Sequence, residues 1–254
     1  MLFLRMAWKR ERNGIMAPAE VWKDREVAAA FLNERSLLIP DRERQLGVML
    51  RVIRSAGRAP RRVLDVGCGD GILLATVLKA ISEASGTAVD FSPLMLEQAR
   101  ARLGPFGDRA LTVEADLGTP EWLNRVTGPF DVIVSGFAIH HLPDVRKRSL
   151  YREIHDLLAD GGVFLNAEHV ASAAPRIEEM FNDAMAEHLF ERRRERGEAV
   201  RLEEVRRDLL ERPDRAANIL ALVEDQCAWL REIGFRDVDC YWKYFELAIF
   251  GGMR

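Results

Sequence analysis

The sequence predicts an α/β fold: a doubly wound, seven-stranded and mostly parallel sheet of Rossmann-like type. Three observations predict it. Short apolar runs alternate with helical stretches through the first two thirds of the chain, the signature of strands covered by helices on both faces. A glycine-dense turn, Gly67-Cys-Gly-Asp-Gly71, follows the first run. Two more strand-like runs, Val238–Tyr241 and Glu246–Phe250, follow a long helical stretch and read as a terminal antiparallel hairpin.

Taken in order, residues 1–18 are expected to be disordered, since Asn13-Gly14 breaks them from the helical stretches downstream, and Met16 is a second candidate for the true start. Residues 19–58 are expected to form an N-terminal helical lid, with helices over 19–33 and 41–56, the second opened by Pro40-Asp41. Residues 59–173 are expected to form the α/β core. Arg62–Val66 is the first strand, apolar as a strand buried on both faces must be. Gly71–Ala84 is a helix, and Thr87–Asp90 the second strand. Pro93–Leu103 is a helix with Ser92 as N-cap and Pro93 at its first position. Ala110–Ala115 and Phe130–Val134 are the third and fourth strands; Asp144–Ala159 is a helix closed by Gly161-Gly162; Val163–Ala167 is the fifth strand. Residues 174–233 are expected to be a helical insert interrupted at Pro213, and 234–254 the hairpin that completes the sheet.

The 254 residues suit one large α/β domain with an accessory element. The net charge is −3, but residues 1–62 hold 14 Lys+Arg against 7 Asp+Glu. From Glu191 to Arg215, nine arginines face eight acids; mixed signs at helical spacing favour a solvated helix over an RNA patch. The three cysteines form no CxxC pair, as expected of reduced thiols in a cytoplasmic protein. No run of about 18 apolar residues exists to span a membrane.

The chemistry concentrates at the carboxyl ends of the expected strands, where open α/β sheets bind ligands. Glycines at 67, 69 and 71 let the backbone turn sharply and approach a ligand, with helix amides facing it. Asp90 ends the next strand 19 positions after Gly71, near the spacing that places an acid on a ribose diol. The pattern is G-x-G-x-G with Asp65 just before it, not the G-x-G-x-x-G of dinucleotide binders. Ser135, His140 and His141 follow the fourth strand, and Glu168 and His169 follow the fifth. The histidines are candidate general bases; no second His/Cys cluster accompanies them to suggest a metal.

Val63-Leu-Asp-Val-Gly-Cys-Gly-Asp-Gly71 resembles motif I of the class I S-adenosylmethionine (SAM)-dependent methyltransferases, with Asp65, Gly67, Cys68, Gly69 and Gly71 in the family's places. The resemblance runs over residues 60–170. Asp90 and Phe91 match the ribose-binding acid and its neighbour, and Asp116-Leu117 the adenine motif. Phe130–Pro143 resembles motif IV and its loop. It implies SAM as cofactor, held by these residues together with Met95, Ser135 and Arg35, with His140, His141 or His169 as catalytic base. The implied acceptor is a small molecule; a homodimer is left open. The layout is also similar to the carboxy-SAM synthases of tRNA modification, which implies an anion-binding arginine, Arg207 or Arg35, at the mouth. The glycine loop here is the ordinary methyltransferase one. A SAM-fold protein without catalysis is the third alternative.

Overall fold

The computed structural model describes residues 39–57 and 59–254. The expected disorder over 1–18, the alternative start at Met16, the helix over 19–33 and Arg35 lie outside the described residues. Seven helices and seven strands succeed one another among the described residues: α1 (Arg42–Ser55), β1 (Arg62–Val66), α2 (Ile72–Ala80), β2 (Ser85–Asp90), α3 (Pro93–Leu103), β3 (Ala110–Glu114), β4 (Phe130–Gly136), α4 (Asp144–Leu157), β5 (Leu158–His169), α5 (Pro175–Glu195), α6 (Leu202–Leu210), α7 (Val223–Ile233), β6 (Arg236–Tyr244) and β7 (Leu247–Met253).

The strands form one sheet in the order β3-β2-β1-β4-β5-β7-β6. The first five pair in parallel, and β7 inserts antiparallel between β5 and β6. Each strand sends alternate side chains to opposite faces. Leu64, Ile133, Phe164 and Phe250 pack with Leu150, Tyr151 and Ile154 of α4 and Leu230 of α7. Val63, Val132, Val134 and Ile249 pack with Met49 and Ile53 of α1, Leu74 and Val77 of α2, and Leu96 of α3. Each fully buried Leu or Ile in these layers contributes about 1.5–3 kcal/mol relative to exposure. Of the expected insert, α7 packs on the sheet face, whereas α5, α6 and the turn Pro213–Ala217 supply residues to the wall of a cavity that also holds His140 and His169.

Three local expectations are corrected. The helix after the glycine loop ends at Ala80 and not Ala84, and β2 starts at Ser85. The Arg109 guanidinium, distant in sequence, donates to the carbonyls of Leu78, Ser82 and Ala84 and satisfies them without another helical turn. Gly161-Gly162 does not close a helix. The chain leaves α4 at Leu157 and runs straight into β5, because Gly161 N–H donates to the Arg254 carbonyl (3.1 Å) and Arg254 N–H to the Gly162 carbonyl (2.9 Å). Ser92 takes the N-cap position of α3 without a side-chain cap hydrogen bond. Among the described residues no helix is long and apolar enough to cross a membrane.

The sheet changes winding direction between β1 and β4: β1 leads outward through β2 to β3, whereas β4 leads the other way to β5. A crevice opens beyond the carboxyl ends at such a point.

Candidate active site

Gly67 leaves β1 with a positive φ of 68°, and a Cβ there would lie 2.3 Å from Ala138 Cβ of the loop after β4. Only glycine allows that backbone turn and that approach together. The loop is then pinned to the end of β2. Cys68 N–H donates to the Val89 carbonyl (2.9 Å), and Gly69 N–H donates to Asp90 Oδ2 (2.9 Å). Asp90 Oδ1 accepts from Ser92 N–H (2.9 Å). Asp90 is buried, and burial pushes its carboxyl above the usual range while the backbone donors pull it back.

A cavity opens in front of this loop. It is lined by Gly67, Cys68, Gly69, Asp90, Phe91, Met95, Asp116 and Leu117 of the expected set. Three expected residues do not line it. The Asp65 Oδ2 accepts from Leu74 N–H (3.0 Å), tying the first turn of α2 to β1. Gly71 is the N-cap of α2 and faces Leu103 and Ala99. Ser135 Oγ donates to the Val66 carbonyl (2.7 Å) and closes the β1–β4 seam beneath the loop. The cavity wall missed by sequence reasoning is the loop after β4, Phe137, Ala138 and Leu142, with His141, expected only as a base.

A second cavity, of about 140 Å³, adjoins the first and shares Phe137 and His141 with it. It brings together all three expected histidines, His140, His141 and His169. Their hydrogen bonds separate them. His140 Nδ1 lies 2.5 Å from Glu168 Oε1, which is wholly buried. With the carboxylate ionised, Nδ1 must carry the proton and Nε2 the lone pair. His141 Nδ1 lies 3.2 Å from the Ala217 carbonyl, which only accepts, so Nδ1 donates here too. His169 lies between Glu246 Oε2 (2.9 Å, to Nε2) and Asn218 Nδ2 (3.5 Å, to Nδ1), so both its nitrogens are engaged by the protein. The Glu168–His140 pair is therefore the arrangement of an oriented base: His140 is one of the three expected candidates, and its pairing with Glu168 is what the sequence does not indicate.

Glu168 also accepts from His169 N–H (2.9 Å) and Asn166 Nδ2 (3.2 Å), yet burial dominates and raises its carboxyl to about 7. The folded protein therefore holds this proton more tightly than the unfolded chain, where the ordinary value is 4.5. The resulting contribution to stability is full below the unfolded value and is lost as pH rises through about 7. Urea unfolding from acid to mildly alkaline pH should show about 3 kcal/mol of decline from this group. Glu168→Gln should flatten that decline, and an equal slope in the variant would refute the assignment.

The arginine expected at the mouth, Arg207, is on the surface. Its side chain is 60% exposed and lies 3.9 Å from Asp208 Oδ1. The arginines that line the second cavity are Arg212 and Arg215, just beyond α6. Arg35, the other candidate, lies outside the described residues.

Residues 64–164 match a family model described as a methyltransferase domain. The chain is similar to the uncharacterized methyltransferase YcgJ of Bacillus subtilis, 34% identical over 137 residues, covering 54% of this chain and 51% of that protein. It is 19% identical to a carboxy-S-adenosyl-L-methionine synthase of Nautilia profundicola over 229 residues, 89% of this chain and 92% of that one. The fold is similar to that of the mitomycin 7-O-methyltransferase MmcR: TM-score 0.59, 17% identity, 94% of this chain and 60% of that one. The chain thus spans about half the length of the first of these relatives.

Proposed function

We propose that this chain, a member of the class I SAM-dependent methyltransferases, moves a methyl group to a hydroxyl oxygen of a small molecule by in-line displacement. One observation carries the reading: a cavity bearing a carboxylate-oriented imidazole adjoins the glycine-loop cavity, with Phe137 and His141 in the shared wall.

The first cavity fits the cofactor. Gly67 and Gly69 line it without side chains, and the buried Asp90 carboxylate beside the loop suits a ribose diol. Asp116 and Leu117, which line the same cavity, would hold the adenine end. When bound, SAM supplies a methyl group activated by its own sulfonium charge. The protein then has two tasks. It holds donor and acceptor in line, a proximity effect that supplies about 7–11 kcal/mol. It also takes the hydroxyl proton, which passes to His140 Nε2 as the oxygen forms its bond to carbon; Glu168 holds the imidazole in the required tautomer and stabilises its cation. The MmcR likeness, to an enzyme named for O-methylation of a small molecule, supports the choice of acceptor. Residues 174–217 are proposed to enclose that acceptor; of the lid expected over 19–58, the described helix α1 packs on the sheet instead.

The full-length likeness to a carboxy-SAM synthase favours one second reading, a different group transfer using SAM. A single experiment separates the two. The protein is incubated with SAM carrying a trideuterated methyl group, and separately with low-molecular-weight metabolites, tRNA and protein as acceptors. Demethylated cofactor should form in step with a deuteriomethylated small molecule. Label confined to tRNA or protein overturns the proposal, and a carboxylated cofactor replaces it with the second reading.

A further inference from the structure

We infer that the acceptor is an anion: an apolar body bearing a carboxylate or like oxyanion that pairs with Arg212 and Arg215 while its hydroxyl reaches His140. The inference rests on the methyl-transfer reading and names the substrate class of that site.

The second cavity is chemically graded. The histidines stand on the wall shared with or next to the first cavity, and Phe137, Phe181, Met185, Leu209 and Leu247 supply apolar surface. Arg212, Arg215 and Asn182 supply the remaining polar groups together with Asn218. Among the described residues no Asp or Glu lines the cavity. Glu168 and Glu246 hold His140 and His169 from behind. Glu178 accepts from Arg215 Nη2 at 3.1 Å without itself lining the cavity. Among the described residues the lining therefore turns two guanidinium groups and no carboxylate to the cavity, so its charged groups there are all hydrogen-bond donors.

The donors match the charge. Arg215 Nη1 donates to Asn182 Oδ1 (3.0 Å), so two of its five N–H groups are used by Asn182 and Glu178 and the others are left for a ligand. Asn182 is buried, and with its oxygen accepting from Arg215 its amide favours a further acceptor. A planar guanidinium fork recognises a carboxylate with two parallel bonds. An amine would meet like charge here, and a bare inorganic ion would leave the apolar walls uncovered.

The arginine-bearing turn is also joined to the base. The Ala217 carbonyl accepts from His141 Nδ1 (3.2 Å), and Ile219 N–H donates to the His140 carbonyl (2.8 Å). A molecule anchored at Arg215 is thereby held in fixed register with the histidine loop, which sets where its hydroxyl falls.

Two arms test the inference. In the first, benzoate and benzamide are titrated into protein saturated with S-adenosylhomocysteine. Benzoate should bind at least about tenfold more tightly, the effect of one charge-assisted pair. The preference should vanish in Arg212→Gln/Arg215→Gln, be reduced in Arg215→Lys, and leave S-adenosylhomocysteine affinity unchanged as a check on folding. No benzoate binding, equal binding of the two, or a preference that survives the double substitution overturns the inference. In the second arm, a metabolite extract is split on an anion exchanger before reaction with deuteriomethyl SAM. Label should appear in the retained fraction; label in the unretained fraction overturns the inference. Label in neither fraction counts against methyl transfer instead, and the benzoate arm then decides the anion site alone.

Discussion

His140→Ala should lower kcat by about 10²–10⁴-fold, the usual contribution of a positioned base, with SAM affinity close to wild type. SAM affinity is expected to hold because His140 lines the second cavity and not the first. The pH profile should identify the group further. Below about 7 the buried Glu168 carboxyl is protonated and donates to His140 Nδ1, which moves the ring proton to Nε2 and leaves no base facing the acceptor. Above it, the carboxylate accepts from Nδ1–H and the Nε2 lone pair is restored. Turnover should therefore rise with pH through the neutral range and level off. Glu168→Gln keeps the shape but cannot ionise, so its kcat should fall and the inflection near 7 should disappear. His141→Ala removes the tie to Ala217 and a shared wall of both cavities, so it should disturb cofactor and acceptor binding together. A flat profile, with His140→Ala retaining more than about a tenth of wild-type turnover, would leave catalysis to positioning alone.

The sheet and the glycine loop were legible because they rest on local rules. Arg62–Val66 is apolar over most of its length and is followed by glycines that nothing but a tight turn requires, so both its ends could be read. Pro93 at the first position of α3 marked that helix to the residue. What escaped depends on contacts across the fold. Glu168 neighbours His169 in sequence, but it orients His140, 28 residues away, because β4 and β5 run parallel side by side. Asp65 stands beside the glycines in the motif yet accepts from Leu74 N–H, a bond visible only once α2 is placed. The resemblance to the carboxy-SAM synthases points to Arg207 as the anion-binding arginine of the helical run. That run's helical phase turns Arg207 outward toward Asp208, whereas the turn starting at Pro213 brings Arg215 to the cavity. In a stretch with nine arginines, only the tertiary placement of the turn selects among them.

Asp90→Ala should weaken SAM binding about 10²-fold or more while the protein remains folded. The carboxylate has two roles that the variant removes together. Its oxygens accept from Gly69 and Ser92 N–H, holding the glycine loop against β2, and on the proposed reading its charge is presented to the ribose diol. Charge-assisted hydrogen bonds of this kind are worth about 1.5–3 kcal/mol each, and tenfold in affinity corresponds to about 1.4 kcal/mol. Loss of loop support alone would also weaken binding, so the affinity of one variant does not assign the ribose. A cycle does. SAM and an analogue lacking a ribose hydroxyl are each titrated calorimetrically into wild type and Asp90→Ala. If Asp90 meets the diol, removing the hydroxyl costs wild type about tenfold and costs the variant almost nothing, because its partner is already gone. If the carboxylate only braces the loop, the analogue loses the same factor in both proteins, and the ribose contact must be sought elsewhere in the cavity. The loop's own melting behaviour supplies the control: since Gly67 and Ala138 pack whether or not Asp90 is present, the thermal transition should stay cooperative in the variant.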